Sequence, residues 1–319
     1  MAESTSASVV GDLGSLIGDF ERSLAAANKS PRTLEIYGGA ARRLEAFLVA
    51  RGMPTVVERI GREHLEAFVA DQLARHKPAT ASQRYRALAQ LFKWLDEEGE
   101  IADNPFRRMH PPKVPEELVP VIREEHLRAL VAACAPGRRR PDMSDAAWRA
   151  WQFTGDRDEA LVRVLIDCGV RRGELMNLGL NDVDRELGVI YVLGKGRRPR
   201  AVPYGNKTAA ALDRYLRRRA RHRHAALAWL WLGPKGRLGE SALTQILDRR
   251  AAMAGIPHLH PHQFRHSFAH QWMSEGLGES DLMQLAGWKS RAMLNRYGAS
   301  AASERARQAH RRAALGDRI

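Results

Sequence analysis

Apolar residues in the first third of the chain recur at steps of three and four, which places their side chains on one helical face. Ser30 and Pro31 form a helix start, and Gly52 before Pro54 predicts where that helix ends. The pattern predicts four amphipathic helices, over residues 13–24, 31–51, about 62–75 and about 80–98. Their inward residues are Leu13, Leu16, Ile17, Phe20 and Leu24; Leu34, Tyr37, Ala41, Leu44, Phe47 and Leu48; Leu65, Phe68, Val69 and Leu73; and Tyr85, Leu88, Leu91, Phe92 and Leu95.

The rest of the chain keeps the helical period and contains one β-prone region. Between Pro105 and Pro120 the sequence RRMHPPKVPEELV is too rich in proline for a helix or a central strand, which indicates a linker. Two β-prone runs in 188–204 are separated by Gly194-Lys195-Gly196 and predict a hairpin. Helices are expected at about 123–134, 146–151, 159–168, 173–180, 207–222, 241–254, 261–275, 280–286 and 291–297, with a polar helix-forming stretch to the end.

These elements predict a mainly α chain with a small β-sheet and two domains. We expect a disordered N-terminus at 1–11, a helical domain at 12–107, a linker at 108–118 and an α+β domain at 119–319. The length of 319 residues exceeds one usual domain, and 44% hydrophobic residues are enough for two cores.

Composition narrows the class of protein. No apolar run is long enough to predict a membrane span, and the first ten residues do not form a signal peptide. Two cysteines, Cys134 and Cys168, exclude a disulfide framework and favour a reducing cytoplasm. Lys and Arg number 51 against 37 Asp and Glu, a net charge of +14. That excess favours a polyanionic partner such as nucleic acid, although solvated basic surfaces would give the same count.

Two cationic residues stand at turns. Arg171 follows a helix that ends at Gly169, and there a guanidinium can hold a phosphate with paired donors. A local ion pair of Arg171 with Glu174 or Asp167 is the simpler alternative. Lys195 lies at the tip of the predicted hairpin, from which an ammonium can reach a distant oxygen, although many such lysines only keep a surface soluble.

A histidine-rich segment runs from His258 to His270. If Pro261 opens a helix, His262, Arg265 and His266 share one face. The cluster allows a metal site of His262, His266 and His270, a grip on an oxyanion, or a neutral structural role. Against the metal site, Gln263 stands where the acidic base of a His-Glu-x-x-His motif would be, and Arg265 would repel a cation.

A last signal is Gly287-Trp288, followed by Arg296-Tyr297 near a predicted helix end. Taken alone, Tyr297 has the pattern of a half-buried core tyrosine with its hydroxyl in water. In order along the chain, however, these signals are Arg, hairpin Lys, His-x-x-Arg, Gly-Trp and Tyr.

This order and spacing resemble the tyrosine recombinase (phage integrase) family. The resemblance covers residues 12 to 300 and implies a four-helix core-binding (SAM-like) domain before an α+β catalytic domain, without an arm-binding domain. It implies the catalytic residues Arg171, Lys195, His262, Arg265, Trp288 and Tyr297, with His266 supporting the site. Trp288 departs from the histidine of most members, so it could supply only an indole donor and packing. The stretch Arg138–Arg140 looks longer than the usual connection there.

The resemblance also implies the reaction. Tyr297 attacks a DNA phosphodiester and forms a 3′-phosphotyrosine, with no metal, cofactor or ATP. Arg171 and Arg265 hold the non-bridging oxygens, His262 accepts or orients the tyrosine proton, and Lys195 protonates the leaving 5′-hydroxyl.

Its implied partners are double-stranded DNA with paired half-sites and three further copies of the chain, joined through residues 299–319. Accessory DNA-bending or directionality proteins and a cytoplasmic, nucleoid-associated location are also expected. Three alternatives remain: a type IB topoisomerase, a non-catalytic DNA-binding protein on the same fold, and a metal-dependent nuclease.

Overall fold

A computed structural model of the chain describes residues 11–115, 120–194 and 198–288, and then 290, 291, 294, 306, 307, 310, 311, 313 and 314. The chain divides into two compact units, Met1–Glu117 and Leu118–Ile319. This division falls inside the segment predicted as a linker, while the ends proposed for the domains stay predictions. In the described ranges, no helix combines the length and apolarity needed to cross a membrane.

The first unit is helical, as the apolar pattern predicts. Its helices are α1 Leu13–Ala26, α2 Pro31–Ala50, α3 Arg62–Arg75 and α4 Pro78–Glu97. Local polar groups start two of them, because the side chains of Asp12 and Ser30 accept bonds from the amides of Gly14 and Thr33. The α2 helix packs on both α1 and α4, and the predicted inward residues form the core. Leu73 is the exception and is 41% exposed, because the inward stripe of Leu65 and Phe68 continues at Gln72.

The proline-rich segment begins with structure that the sequence interpretation missed. Pro105–Arg108 form a 3-10 helix, in which the Asn104 side chain accepts a bond from the amide of Phe106. The Phe106 ring is buried against Tyr85 and Phe92, at centroid distances of 5.0 and 5.4 Å. The expectation of no helix here was wrong, because proline is compatible with the first position of a helical turn.

The second unit combines helices with two small antiparallel sheets. Its elements are α5 Glu124–Ala132, α6 Asp145–Cys168, α7 Arg172–Met176, β1 Val183–Asp184, β2 Val189–Leu193, β3 Pro199–Pro203, α8 Asn206–Arg219, β4 Leu232–Gly233, β5 Gly236–Arg237, α9 Glu240–Ala254, α10 Pro261–Ser274 and α11 Glu279–Ala286. The larger sheet has the order β1-β2-β3, and β4 pairs with β5. The fold class is therefore confirmed. Strands of two residues carry no readable pattern, so β1, β4 and β5 were missed.

The α6 helix corrects the sequence interpretation. We expected a short helix at 146–151, a loop, and a second helix at 159–168, but one helix of 24 residues spans all three. The polar residues just before 159 are buried: Asp158 is fully buried and accepts hydrogen bonds from Arg157, Arg249 and Arg250. The sequence does not reveal this burial, because two of the partners, Arg249 and Arg250, lie on a different helix, α9.

One smaller prediction also changes. The helix expected at 173–180 ends at Met176, and a 3-10 helix follows at Leu180–Asp182. The Arg138–Arg140 stretch lies just before α6: Arg139 donates to the carbonyl of Met143 and pairs with Asp145, and Arg140 pairs with Asp142. Most of the helix expected at 291–297 and most of the C-terminal stretch lie outside the described residues.

The Asp158 cluster yields a stability prediction. Asp158→Asn removes the one carboxylate shared by the three guanidiniums, so it leaves buried positive charge without compensation. We expect a loss of about 3–5 kcal/mol in the free energy of unfolding, measured by urea denaturation. The control is Asp142→Asn, whose pair with Arg140 is solvent-exposed, and which should change stability by less than about 1 kcal/mol. Equal losses in the two variants would contradict this account of α6.

Candidate active site

Three segments of the second unit meet around Arg265. They are the turn after α6, the α10 helix that carries Arg265, and the end of α11 at Ala286–Gly287. Arg265 is only 2% exposed, and its Nη1 donates to the carbonyl of Gly169 at 2.8 Å while its Nη2 donates to the carbonyl of Ala286 at 2.5 Å. One buried guanidinium therefore ties the turn before Arg171 to the end of α11.

Gly169 is required at this turn for two reasons. It ends α6 in the left-handed conformation, with φ of 55°, which side chains rarely adopt. A Cβ atom there would also lie 2.4 Å from the Phe268 ring. The glycine thus lets the chain turn sharply beside α10 and present Arg171.

Arg171 caps the start of α7. Its amide donates to Glu174 Oε2 at 2.9 Å, its Nη1 to Glu174 Oε1 at 2.8 Å, and its Nη2 to the carbonyl of Gly287 at 3.5 Å. The side chain is still 37% exposed. The local pair with Glu174 is therefore present, whereas Asp167 accepts from the amide of Gly205 instead. Arg171 and Arg265 donate to adjacent carbonyls, so the structure brings the two predicted arginines together.

The α10 helix places the histidines as expected. His262 is exposed in the first turn and His266 is buried one turn later, with their rings perpendicular at 4.4 Å between centroids. Ser267 fixes the helix, because its hydroxyl accepts a bond from the amide of Ile122 at 2.8 Å. As for the metal alternative, no group of three or more His, Cys, Asp or Glu in the described ranges has a metal-binding arrangement.

Trp288 is a packed residue in this structure. It is 6% exposed and belongs to a small apolar cluster, and the Cζ of Arg265 lies 5.3 Å from its ring centroid. The cluster consists of Ala269, Met273, Leu282, Ala286, Trp288 and Leu294. The indole thus packs beside the buried guanidinium, and its role as a donor to a phosphate stays a prediction.

Lys195 and Tyr297 lie outside the described residues. The base of the predicted hairpin is described: Leu193 pairs with Pro199, and the amide of Gly194 donates to the carbonyl of Arg198 at 2.9 Å. The two runs therefore do form an antiparallel hairpin that brackets Lys195. The catalytic roles of Lys195 and Tyr297 stay predictions.

One residue of the site was missed in the sequence. Arg200 donates from Nη1 and Nη2 to the two oxygens of Glu174, at 3.0 and 2.8 Å, and from Nε to the carbonyl of Leu285 at 2.7 Å. Burial by itself raises the pKa of the Glu174 carboxyl, but hydrogen bonds from Arg200 and Arg171 outweigh this effect, and the pKa is lowered from 4.5. The sequence signal was weak, because Arg200 is distant from Glu174 along the chain.

Comparison with known sequences gives a consistent set of relatives. Residues 121–304 match the phage integrase family. A tyrosine recombinase XerC of Mycobacterium bovis is 30% identical over 93% of this chain and 98% of its own length. A tyrosine recombinase XerC of Oceanobacillus iheyensis is 27% identical over 85% of this chain and 86% of its own length.

Solved structures resemble the chain in fold. A post-cleavage complex of the XerH site-specific recombinase with a palindromic difH substrate has a TM-score of 0.71 at 17% identity, over 93% of this chain and 84% of that one. The Tn1549 transposon integrase in complex with transposon right end DNA has a TM-score of 0.70 at 18% identity, over 95% and 100%. A lambda integrase dimer bound to a core site has a TM-score of 0.66 at 17% identity, over 90% and 95%.

The environment of Glu174 predicts a pH-dependent stability. Because the pKa of Glu174 is lowered in the folded protein, its ionised form stabilises the fold above pH 4.5, and this contribution is lost as pH falls through the folded pKa. Glu174→Gln should therefore lower the free energy of unfolding by about 1.5–3 kcal/mol at neutral pH. The loss should become smaller as the pH falls below 4.5 and through the folded pKa of Glu174. Urea denaturation at a series of pH values measures the difference. The control, exposed Glu186→Gln, should show a small difference at every pH; a constant penalty for Glu174→Gln would contradict the prediction.

Proposed function

The chain belongs to the phage integrase family of site-specific recombinases, and from this premise we propose that it cleaves and rejoins DNA strands through Tyr297. The recognition of this family from the order of motifs is confirmed by the family match and by the XerC relatives. The topoisomerase and non-catalytic alternatives find no support in the comparisons. The catalytic assignment of the individual residues is our proposal.

The observation that carries the proposal is the convergence of two guanidiniums. Attack on a phosphodiester is slow because nucleophile and phosphate are both electron-rich, so catalysis depends on positioning and on stabilising charge on the non-bridging oxygens. Arg171 and Arg265 come from distant parts of the chain and donate to adjacent carbonyls. Their fork geometry suits an oxyanion, and the partial exposure of Arg171 leaves it accessible to DNA.

We assign the proton transfers to two residues of the motif, His262 and Lys195. A tyrosine hydroxyl has a pKa of about 10, so Tyr297 needs positive charge nearby and a group that receives its proton. His262 is exposed on the first turn of α10, three residues before Arg265, and is our acceptor or orienting group. Lys195 donates a proton to the leaving 5′-hydroxyl.

The bonds balance without an external energy source. Tyr297 Oη forms a bond to phosphorus while the bond to the 5′-oxygen breaks, which gives a 3′-phosphotyrosine and a free 5′-hydroxyl. A 5′-hydroxyl of a second strand then attacks the phosphotyrosine and releases the tyrosine. Because one phosphoester replaces another at each step, ATP is not needed.

The partner is double-stranded DNA with paired half-sites. The net charge of +14 favours a polyanion, and fold relatives are described in complex with DNA, one of them as a lambda integrase tetramer on a Holliday junction. We extend this to the chain as a tetramer on two duplexes, joined through residues 299–319. Accessory DNA-bending or directionality proteins and a nucleoid-associated cytoplasmic location complete the proposal.

The first test is the covalent adduct. A duplex selected from a random-sequence library for wild-type binding, and nicked near the cleavage point, should trap a protein–DNA adduct on Tyr297, mapped by mass spectrometry. Tyr297→Phe should form no adduct and keep its affinity for the same duplex. Adduct formation should persist in EDTA. An adduct on another residue, or loss of the wild-type adduct in EDTA, would show that the assignment is wrong.

The second test addresses the two guanidiniums. Arg171→Ala and Arg265→Lys should each slow adduct formation by about 10²–10³-fold at saturating protein. Each substitution removes hydrogen-bond donors that stabilise the charge developing on the non-bridging oxygens of the phosphate. The control is Arg185→Ala, a surface arginine paired with Asp213, which should keep the wild-type rate. Rates of both site variants close to that of the control would contradict the phosphate-binding role.

A further inference from the structure

Arg200 lies at a junction of the active-site segments. It is the second residue of β3, paired with Val192 of β2, and thus lies at the base of the hairpin that carries Lys195. Its side chain is only 10% exposed. Its three nitrogen donors reach two places distant in the chain, the Glu174 carboxylate of α7 and the Leu285 carbonyl of α11.

We propose that Arg200 is a positioning residue for strand cleavage, which keeps Arg171 free to bind the phosphate and fixes the end of α11. The proposal rests on the proposed function, because it assigns Arg200 an effect on the same cleavage step. Arg200 itself does not touch the DNA and acts through Glu174 and α11.

The first part of the argument is charge. Glu174 carries one negative charge and lies between two guanidiniums, Arg171 and Arg200. With both present, this group has a net charge of +1, so positive potential remains for an anion. Without Arg200, Glu174 and Arg171 would form a neutral pair, and the attraction of Arg171 for a phosphate would fall.

The second part is orientation. The two terminal nitrogens of Arg200 hold the two oxygens of Glu174, which defines the plane of the carboxylate. That same carboxylate accepts from the Arg171 amide and from its Nη1. A carboxylate released by Arg200 could rotate, and the Arg171 guanidinium would rotate with it.

The third part is the end of α11. Arg200 donates a hydrogen bond to the carbonyl of Leu285. The next two carbonyls, of Ala286 and Gly287, accept hydrogen bonds from Arg265 and Arg171. A Cβ atom at Gly287 would lie 3.2 Å from Arg200 Nη1, and φ of 64° also favours glycine. Arg200 therefore packs against the same short segment that holds both phosphate-binding arginines.

The test is a comparison of cleavage with binding. Arg200→Ala should slow adduct formation on the nicked duplex by about 10–100-fold at saturating protein, by analogy with the removal of groups that orient metal ligands. Its affinity for the same duplex should fall much less than its rate, because phosphate contacts along the whole duplex contribute to binding. Arg198→Ala is the control, because Arg198 is exposed, only two residues away and equally charged, and should keep the wild-type rate.

A double-mutant cycle separates positioning from a general structural role. If Arg200 acts through Arg171, the double variant Arg171→Ala/Arg200→Ala should form the adduct less than about threefold more slowly than Arg171→Ala alone. Arg200→Lys keeps the charge but cannot span both oxygens of Glu174 and the Leu285 carbonyl, so its rate should lie between those of wild type and Arg200→Ala. If Arg200→Ala does not fold, the cycle is run with Arg200→Lys.

The outcomes distinguish this inference from the proposed function. A wild-type protein that forms no Tyr297 adduct overturns the proposed function. A wild-type adduct with an unchanged rate in Arg200→Ala and Arg200→Lys overturns only the role of Arg200. Fully additive losses in the cycle, or equal losses in rate and affinity, would likewise show that Arg200 does not act through Arg171.

Discussion

One buried carboxylate, shared by two arginines, organises the candidate active site. Glu174 is 9% exposed and has two functions at once, because it orients Arg171 and anchors Arg200. A buried carboxylate with one guanidinium would form a closed neutral pair, whereas one with two leaves a positive charge. This excess of charge, held in place by hydrogen bonds, is what a site for an electron-rich phosphate requires.

The second organising feature is the row of carbonyls at the end of α11. A helix end leaves its last carbonyls without helical partners, and here guanidiniums donate to three in succession. Arg200, Arg265 and Arg171 come from β3, α10 and the start of α7, so one helix end fixes the separation of residues that are far apart in sequence. Trp288 follows directly and packs beside Arg265, which connects this row to an apolar cluster of its own.

The same principle appears away from the site, in the scaffold that holds it. Asp158 is shared by Arg157, Arg249 and Arg250, and joins α6 to α9 in the interior. The high arginine content of the chain is therefore not only a surface property that favours DNA. Part of it is buried and determines how helices pack, because guanidinium forks can satisfy several acceptors at once.

The sequence by itself determined the helical first unit, the hairpin around Lys195, the fold class and the family. Apolar periodicity, a Ser-Pro cap and the order of short motifs are local signals, so they can be recognised without coordinates. Arg171 and Arg265 were predicted as partners from that order. Only the tertiary structure decided that α6 is continuous, that Phe106 belongs to the core, and that Arg200 lies beside Glu174. The reason is physical. The identity of a charged residue does not show whether its side chain is buried, because burial depends on partners that lie far away along the chain.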